Sequence, residues 1–588
     1  MPIKIGVSSG IFGIAKEKGH EEAMQYAGIP RKAMYSITKG VNFVQVDLES
    51  ISEFLDPSLD DGVKNVEKLG ITFGLHSETP AFGQREFPHL DSAIDVDYRR
   101  GHERMWIILE NANRIRAKYV LVHSSESTPF IFLSREMQPT DLVDVWGRPF
   151  NTFIDEENKK DEWVKKWLID INQGYIWIDL FTDTLQGIID IEVKRTILSS
   201  SQTKKLITQS GETVEQKKTL TDEDKKEIRE DVTKYVIEVY YDYFRRQIKS
   251  KSLHYGPERT AYYITAKWME RENDPLWDNI INVTAKYYAL KDDFGTFKGD
   301  IEKWMEWKGI KKVNGKWSIE NPGFRQFYQL WVPSVSAKYV WGHFMQDKCP
   351  GVGPYLDKDP KQVLAKKQVL FLFETPMAGH GSEDLLRFPQ PGQMFFLIKE
   401  ITSPYVGIAI DLEHLLMDGI DPDLAFQVLP DGAGKYIRVI HSGWPSPLGP
   451  AHIPIPIGSE QHQYLYKMYR ELAKKGMDVK KEGKDDVYLI FERGGGEDPI
   501  KQSVLSLRLI KKFLEMDVPF DKLPLEFYGI EPGQVASEAR QWTIIEEHGR
   551  DPLKGLLVVP EETHGQLSKS AIEKGKRPEE VKKEEIRG

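Results

Sequence analysis

The sequence predicts an α/β protein: a (β/α)8 TIM barrel with a large, mostly helical insertion after strand 4 and a charged C-terminal tail. Three observations carry that prediction. Eight apolar runs of strand length recur along the chain, and amphipathic segments such as Tyr98 to Arg116 and Gln461 to Lys475 separate most of them, as in a parallel sheet with helical crossovers. Six of the runs end in a histidine or a carboxylate, and a closed barrel gathers all such ends at one mouth. Between the fourth and fifth runs the chain spends well over 200 residues, where a crossover needs about 30 to 40.

The first barrel half, residues 1–128, opens with Ile3 to Ser8 and a small-residue turn at Ser9-Gly10. Phe43 to Leu48, Ile71 to His76 and Tyr119 to His123 follow. The second half, 366–530, starts at Val369 to Glu374, a continuous apolar run that must be buried on both faces. It breaks into a carboxylate and a glycine-bearing turn, Thr375-Pro376-Met377-Ala378-Gly379-His380-Gly381. A carboxylate ending a buried strand requires a partner, and metal cations are common ones. Val406 to Asp411, Tyr436 to His441 and Val487 to Glu492 complete the set, with a last helix around Ser503 to Met516 and a loop from Pro519 to Gly533. The extension 531–588 ends in an almost wholly charged stretch, Lys569 to Gly588, of the kind that stays solvated.

Residues 129–365 form the inserted module. Trp146, Trp163, Trp167, Trp177, Trp268, Trp277, Trp304, Trp307, Trp317, Trp331 and Trp341 lie in it, against three tryptophans elsewhere. Asp222 to Lys251 reads as a long helix bearing Tyr240, Tyr241, Tyr243, Phe244, Arg245 and Arg246, and the Lys/Thr/Glu/Gln-rich stretch from Gln202 to Lys226 as a mobile loop. Either the aromatics fill a core, or the module is a lid that grips a base, a sugar or nucleic acid. Because it leaves the barrel directly after His123, it is expected to overhang the mouth and to be separable from the barrel.

Net charge is -10 and the isoelectric point near 5.9, which provides no global attraction for nucleic acid. The single cysteine, Cys349, permits no internal disulfide and points to a reducing compartment. With no leader and no run long enough to span a bilayer, a cytoplasmic location is expected and no membrane partner. The Lys/Glu-rich, cysteine-poor composition has a thermophile's bias.

His76, His123, Glu374, Asp411, His441 and Glu492 are the strand-end candidates. Imidazoles and carboxylates without thiolates favour zinc, manganese or iron(II) over calcium or a thiolate-based structural site. Glu49, Glu78 and Glu126, just past strand ends, are either groups that orient ligating histidines or solvated carboxylates. Gly494-Gly495-Gly496 is either a phosphate cradle or a plain turn, and Gly351-Val352-Gly353 lacks the context of a nucleotide loop. His380, His452 and His462 all have ordinary surface readings.

These motifs resemble the xylose-isomerase-like superfamily, and within it endonuclease IV, the metal-dependent apurinic/apyrimidinic endonuclease. The resemblance spans residues 1–128 and 366–516. Glu374 to Gly381 stands beside that family's Glu-Asn-Thr-Ala-Gly-x-Gly turn, and Asp411-Leu412-Glu413-His414 fits its Asp-x-x-His signature. By this resemblance His76 and His123 hold a first metal, Glu374 bridges to a second held by Asp411, His441 and Glu492, and His414 with His452 holds a third. Pro450-Ala451-His452 stands where the family has Asp-x-His, His123-Ser124-Ser125 where it has His-Pro-Gly, and Val7 where it has a histidine.

The resemblance implies a metal-dependent phosphoesterase, a hydrolase with two or three zinc ions acting on abasic DNA as in DNA repair, or on another phosphate ester such as a sugar phosphate. Glu374 and Glu492 carry its catalytic roles. The alternative within the superfamily is a sugar isomerase or epimerase with one manganese-like ion on Glu374, Asp411, His441 and Glu492, in which Glu374 and Glu492 form the acid/base pair. A third reading is a metal-stabilised barrel that serves as a binding scaffold through its aromatic insertion.

Overall fold

In the computed structural model, eight parallel strands close into a barrel in chain order: β1 (Ile3–Ser8), β2 (Phe43–Asp47), β3 (Thr72–His76), β4 (Tyr119–His123), β5 (Leu370–Glu374), β6 (Val406–Asp411), β7 (Ile437–His441) and β8 (Val487–Phe491), with β8 returning to pair with β1. The structure describes residues 3–10, 28–77, 90–125, 139–160, 220–233, 256–291, 295–318, 327–345, 369–376, 387–444, 453–480, 485–492 and 500–530, together with short pieces at 88, 189, 193, 196–197, 204–207, 213–216 and 483.

Each strand is sorted by its alternation of side chains. Val44, Val46, Phe73, Leu75, Val120, Val122, Phe371, Phe373, Ile408, Ile410, Leu489 and Phe491 belong to one continuous core shared with the helices. The intervening positions form a second, separate cluster: Phe43, Tyr119, Leu121, Leu372, Ala409, Val439, Tyr488 and Ile490. This is the barrel's interior, filled by side chains as such barrels are. Phe43 and Tyr488 meet at 4.3 Å between ring centroids. Two glycines leave room for these rings: a Cβ on Gly74 would lie 2.3 Å from the Tyr119 ring, and one on Gly6 2.7 Å from that of Phe43. Continuing in the same frame, the next inward positions are Asp47, His76, His123, Glu374, Asp411, His441 and Glu492. A packed apolar plug therefore floors a polar mouth.

Around the barrel lie α1 (Ile29–Thr38), α2 (Leu59–Lys68), α3 (Asp95–Arg114), then α4 (Phe150–Lys160), α5 (Gly256–Arg271), α6 (Pro275–Leu290), α7 (Ile301–Trp307) and α8 (Val332–Met345) of the insertion, then α9 (Pro391–Ile401), α10 (Leu412–Met417), α11 (Pro422–Gln427), α12 (Glu460–Lys474) and α13 (Ile500–Glu515). Asp274 caps α6 by accepting from the Leu276 N–H, and Pro275 occupies its first turn, where a missing N–H costs nothing.

The described helices of the insertion pack into the core of the barrel. Both α6 and α8 pack against α9, and Trp268, Trp277, Trp304, Trp317 and Trp331 are buried in the same core as the barrel strands. Pattern explains this placement, since α6 is apolar around most of its circumference and must be covered on more than one side. Gly392 lets it approach α9, for a Cβ there would meet Val283 at 2.8 Å. Gln393 Nε2 donates to Thr284 Oγ1 at 2.9 Å in the buried seam. Of the stretch read as a mobile loop, Lys204–Ile207 and Thr213–Gln216 form an antiparallel hairpin, and a helix begins at Asp222. Residues 234–251 with their aromatics, Trp163, Trp167, Trp177, Gly351 to Gly353, Gly494 to Gly496, Cys349 and the tail all fall outside the described residues.

Candidate metal centre

Six predicted strand-end residues meet at the mouth. Glu374, at the end of β5, is fully buried and stands at its centre. Its Oε2 lies 3.1 Å from His76 Nε2 and 3.4 Å from His123 Nε2, and its Oε1 lies 2.7 Å from His441 Nδ1. The same His441 nitrogen is 3.2 Å from Asp411 Oδ2 and 3.0 Å from Glu492 Oε2. Two donor groups result, Glu374–Asp411–His441–Glu492 and His76–His123–Glu374, each with one ligand atom per residue and all those atoms within 4.8 Å of one another.

Local sequence sets the orientation of each donor. Asp411 is the N-cap of α10 and accepts the His414 N–H through Oδ1 at 3.0 Å, a favoured use of Asp at a helix start, so Oδ2 remains for the mouth. Thr375 ties β5 to β6, its Oγ1 accepting the Asp411 N–H at 2.8 Å. Each buried imidazole is fixed by a bond on its far side. His76 Nδ1–H donates to Ser77 O at 2.9 Å, which leaves Nε2 as its ligand atom. His441 Nε2–H donates to Gln45 Oε1 at 2.9 Å, which leaves Nδ1. Such bonds are how proteins select the ligating nitrogen of histidine.

The electrostatics call for positive charge. Burial alone would lower the His76 pKa, but Glu374, Asp47 and Glu492 overcome it and push it up to about 9. Burial likewise opposes protonation of His441, and Glu374, Glu492 and Asp411 raise it well above the ordinary imidazole range. Among the described residues both Glu374 oxygens are buried and accept no well-formed hydrogen bond, an arrangement too costly to leave uncompensated. A divalent cation would supply the missing charge, and these donors fit one. Three carboxylates against one imidazole make the four-residue group oxygen-rich, which suits manganese or magnesium as well as zinc.

The remaining candidates sit elsewhere. His414 is buried, but its Nδ1–H donates to Thr375 O at 2.9 Å and its Nε2 is 3.6 Å from Asp411 Oδ2, at the margin of the cluster and in neither donor group. His452, His380, Glu78 and Glu126 lie outside the described residues. Glu49 pairs with Lys32 Nζ at 3.4 Å. His462 is buried rather than on the surface: it accepts the Gly458 N–H, donates to Ser506 O and stacks on Phe527 at 4.2 Å.

Two polar groups at the mouth escaped the sequence reading. Asp47 ends β2 in the same inward frame and forms a third donor group with His76 and Glu492. Gln45, one step below it, accepts from His441 and, at 3.0 Å, from Tyr119 Oη. The signal for both was present in Phe43-Val44-Gln45-Val46-Asp47, whose polar positions alternate with apolar ones.

No helix among the described residues is long and apolar enough to cross a membrane. No protein-family model and no curated protein matches the chain. Among solved structures it is similar to an L-ribulose 3-epimerase (9% identity, TM-score 0.36, covering 88% of this chain and 96% of that one). It is also similar to a D-psicose 3-epimerase (9%, 0.35, 87% and 99%) and to the 3-keto-D-glucoside 4-epimerase of E. coli (8%, 0.34, 87% and 99%). At these values the likeness carries no weight on activity or substrate, and the barrel itself stands on its own strand pairing.

Proposed function

We propose that the chain is a divalent-metal enzyme that moves a proton on a polyhydroxylated carbonyl substrate, a sugar isomerase or epimerase. The observation that carries this reading is the four-residue group from consecutive strands β5, β6, β7 and β8: Glu374, Asp411, His441 and Glu492 offer a full ligand set for one ion. Charge favours a neutral substrate. Asp47, Glu374, Asp411 and Glu492 bring four carboxylates to the mouth, and the nearby buried Lys32 is occupied by Glu53, at 3.0 Å, and Glu49. Even two divalent ions would only balance these four carboxylates and leave no surplus positive charge for a phosphate dianion.

A bound divalent ion would supply Lewis acidity toward adjacent hydroxyl and carbonyl oxygens of the substrate. Glu374 and Glu492 each have two oxygens, so one can hold the ion while the other faces the substrate. One carboxylate takes the proton from the carbon beside the carbonyl, and the other returns a proton to that carbon from the opposite side, inverting it. Asp411 stays with the ion because α10 holds its second oxygen. The apolar floor of Leu372, Ala409, Val439 and Ile490 excludes water beneath the reacting atoms, which strengthens every electrostatic contact above it.

A second reading, phosphate-ester hydrolysis in the endonuclease IV manner, is favoured by one observation: His76, His123 and Glu374 form a group that shares Glu374 with the first, as a bridged two-metal site requires. One experiment separates the two. Manganese- and zinc-loaded protein is incubated with a panel of ketoses in deuterated water, and with an abasic-site duplex, beside Glu374→Gln. We expect deuterium at a sugar carbon with wild type and none with the variant. Duplex cleavage without exchange would replace the first reading by the second.

A further inference from the structure

We propose that a second divalent cation binds between Asp47, His76 and Glu492, with Asp47 as the ligand dedicated to it. This inference rests on the reading of Glu374, Asp411, His441 and Glu492 as the first cation site, with which the second group has Glu492 in common.

Asp47 is built for this purpose. Its Oδ2 takes the Gly10 N–H at 2.7 Å and the Ser9 hydroxyl at 3.2 Å, and Ser9 in turn accepts the Asp47 N–H at 3.0 Å. The turn after β1 thus fixes one oxygen of the carboxylate. The other, Oδ1, is buried with no hydrogen-bond partner among the described residues, in a residue only 3% exposed. Asp47, His76 and Glu492 each offer an atom within 4.8 Å of the others. Lys32 does not satisfy the carboxylate, because its ammonium is spent on the Asp47 main-chain carbonyl at 2.8 Å and on Glu53. An unpaired buried carboxylate oxygen is costly, and a cation is the partner that best offsets it.

His76 decides where a second ion sits. Its Nδ1–H is committed to Ser77 O, so Nε2 alone can ligate, and it can serve either Asp47 and Glu492 or His123 and Glu374, not both. The Asp47 side offers two carboxylates, which neutralise a divalent ion. The His123 side offers one, Glu374, and His123 is one-fifth exposed. Charge balance and burial both favour the Asp47 side.

Manganese per chain, measured by plasma mass spectrometry after gel filtration of loaded protein, tests this. Wild type is expected to hold two ions, Asp47→Asn one and His123→Gln two, while Asp411→Asn loses the other ion. Two ions in Asp47→Asn with one in His123→Gln would overturn the proposal by placing the second ion on the His123 side. One ion in wild type, unaltered in Asp47→Asn, would overturn it and leave the first site standing, whereas none in wild type would remove both. Anomalous scattering from manganese in wild-type crystals needs no variant: a peak beside Asp47 Oδ1 supports the proposal, and a peak beside His123 overturns it even if Asp47→Asn fails to fold.

Discussion

His441 and Gln45 meet at 2.9 Å inside the barrel, imidazole Nε2 against amide Oε1, although 396 residues separate them in the chain. That contact selects Nδ1 of His441 as the atom facing Glu374, Asp411 and Glu492. Outer partners of ligating histidines typically contribute 10- to 100-fold in metal affinity. Gln45→Leu should therefore raise the manganese dissociation constant by about 10- to 100-fold, as read by chelator competition, without removing a ligand. An unchanged constant would show that His441 needs no such orientation.

Gly74 extends the chain of support. Tyr119 donates to the same Gln45 Oε1 at 3.0 Å, and its ring occupies the space a Cβ on Gly74 would take. Forcing a methyl into a packed interior costs about 1–3 kcal/mol. Gly74→Ala should lower stability by about that much and also weaken metal binding, since the displaced Tyr119 no longer steadies Gln45. Calorimetry with and without manganese separates the effects: if the variant gains as much from the ion as wild type does, the connection from Tyr119 to the metal centre is wrong.

What the sequence made legible was whatever repeats along one strand. Apolar runs ending in His76, His123, Glu374, Asp411, His441 and Glu492 carry both fold and donor set, because a parallel barrel turns strand order directly into spatial order. Asp47 was missed because its strand contains Gln45 and its turn offers no motif, although the two-residue alternation holds. The packing of the insertion's described helices was not legible: aromatic content is the same whether a helix closes over a mouth or packs on the outside of a barrel, and the pairing of α6 with α9 appears only in the structure. The burial of His462, for which the sequence offered an ordinary surface reading, was not legible because its Ser506 and Phe527 partners come from distant segments.

Acid should destabilise the protein through two structural histidines. His102, which accepts the Trp106 indole N–H at 2.7 Å, is lowered by burial to about 3, and His462 is lowered by burial to about 4, from an ordinary 6.5. Both depressed values mean that the unfolded chain binds protons first, so stability present above pH 6.5 is lost as pH falls toward the folded values. At pH 5 each contributes a loss of about 2 kcal/mol relative to pH 7. Urea midpoints of wild type and His462→Gln at pH 7 and 5 check this: the drop should be smaller in the variant by about 2 kcal/mol. An equal drop would mean that His462 does not titrate with unfolding.

The described helices of the insertion and the barrel should unfold as one unit. Trp277 of α6 is fully buried, α6 lies against α9 through Gly392 and the Gln393–Thr284 bond, and Arg387, in the segment before α9, pairs with Glu258 of α5 at 3.0 Å with both side chains buried. Cutting such a seam exposes apolar surface on both sides, and splitting a buried ion pair leaves an uncompensated charge on each. Tryptophan emission, which reports mainly residues 129–365 because 11 of the 14 tryptophans lie there, should therefore follow the same urea transition as release of manganese from the mouth. Trp277→Ala should move both curves together, by about 3–5 kcal/mol. A deletion of Pro129 to Ala365 strips the cover from α9 and should yield insoluble protein. Two separate transitions, or a soluble deletion variant that still binds manganese, would show instead that the insertion is an independent module resting on a self-sufficient barrel.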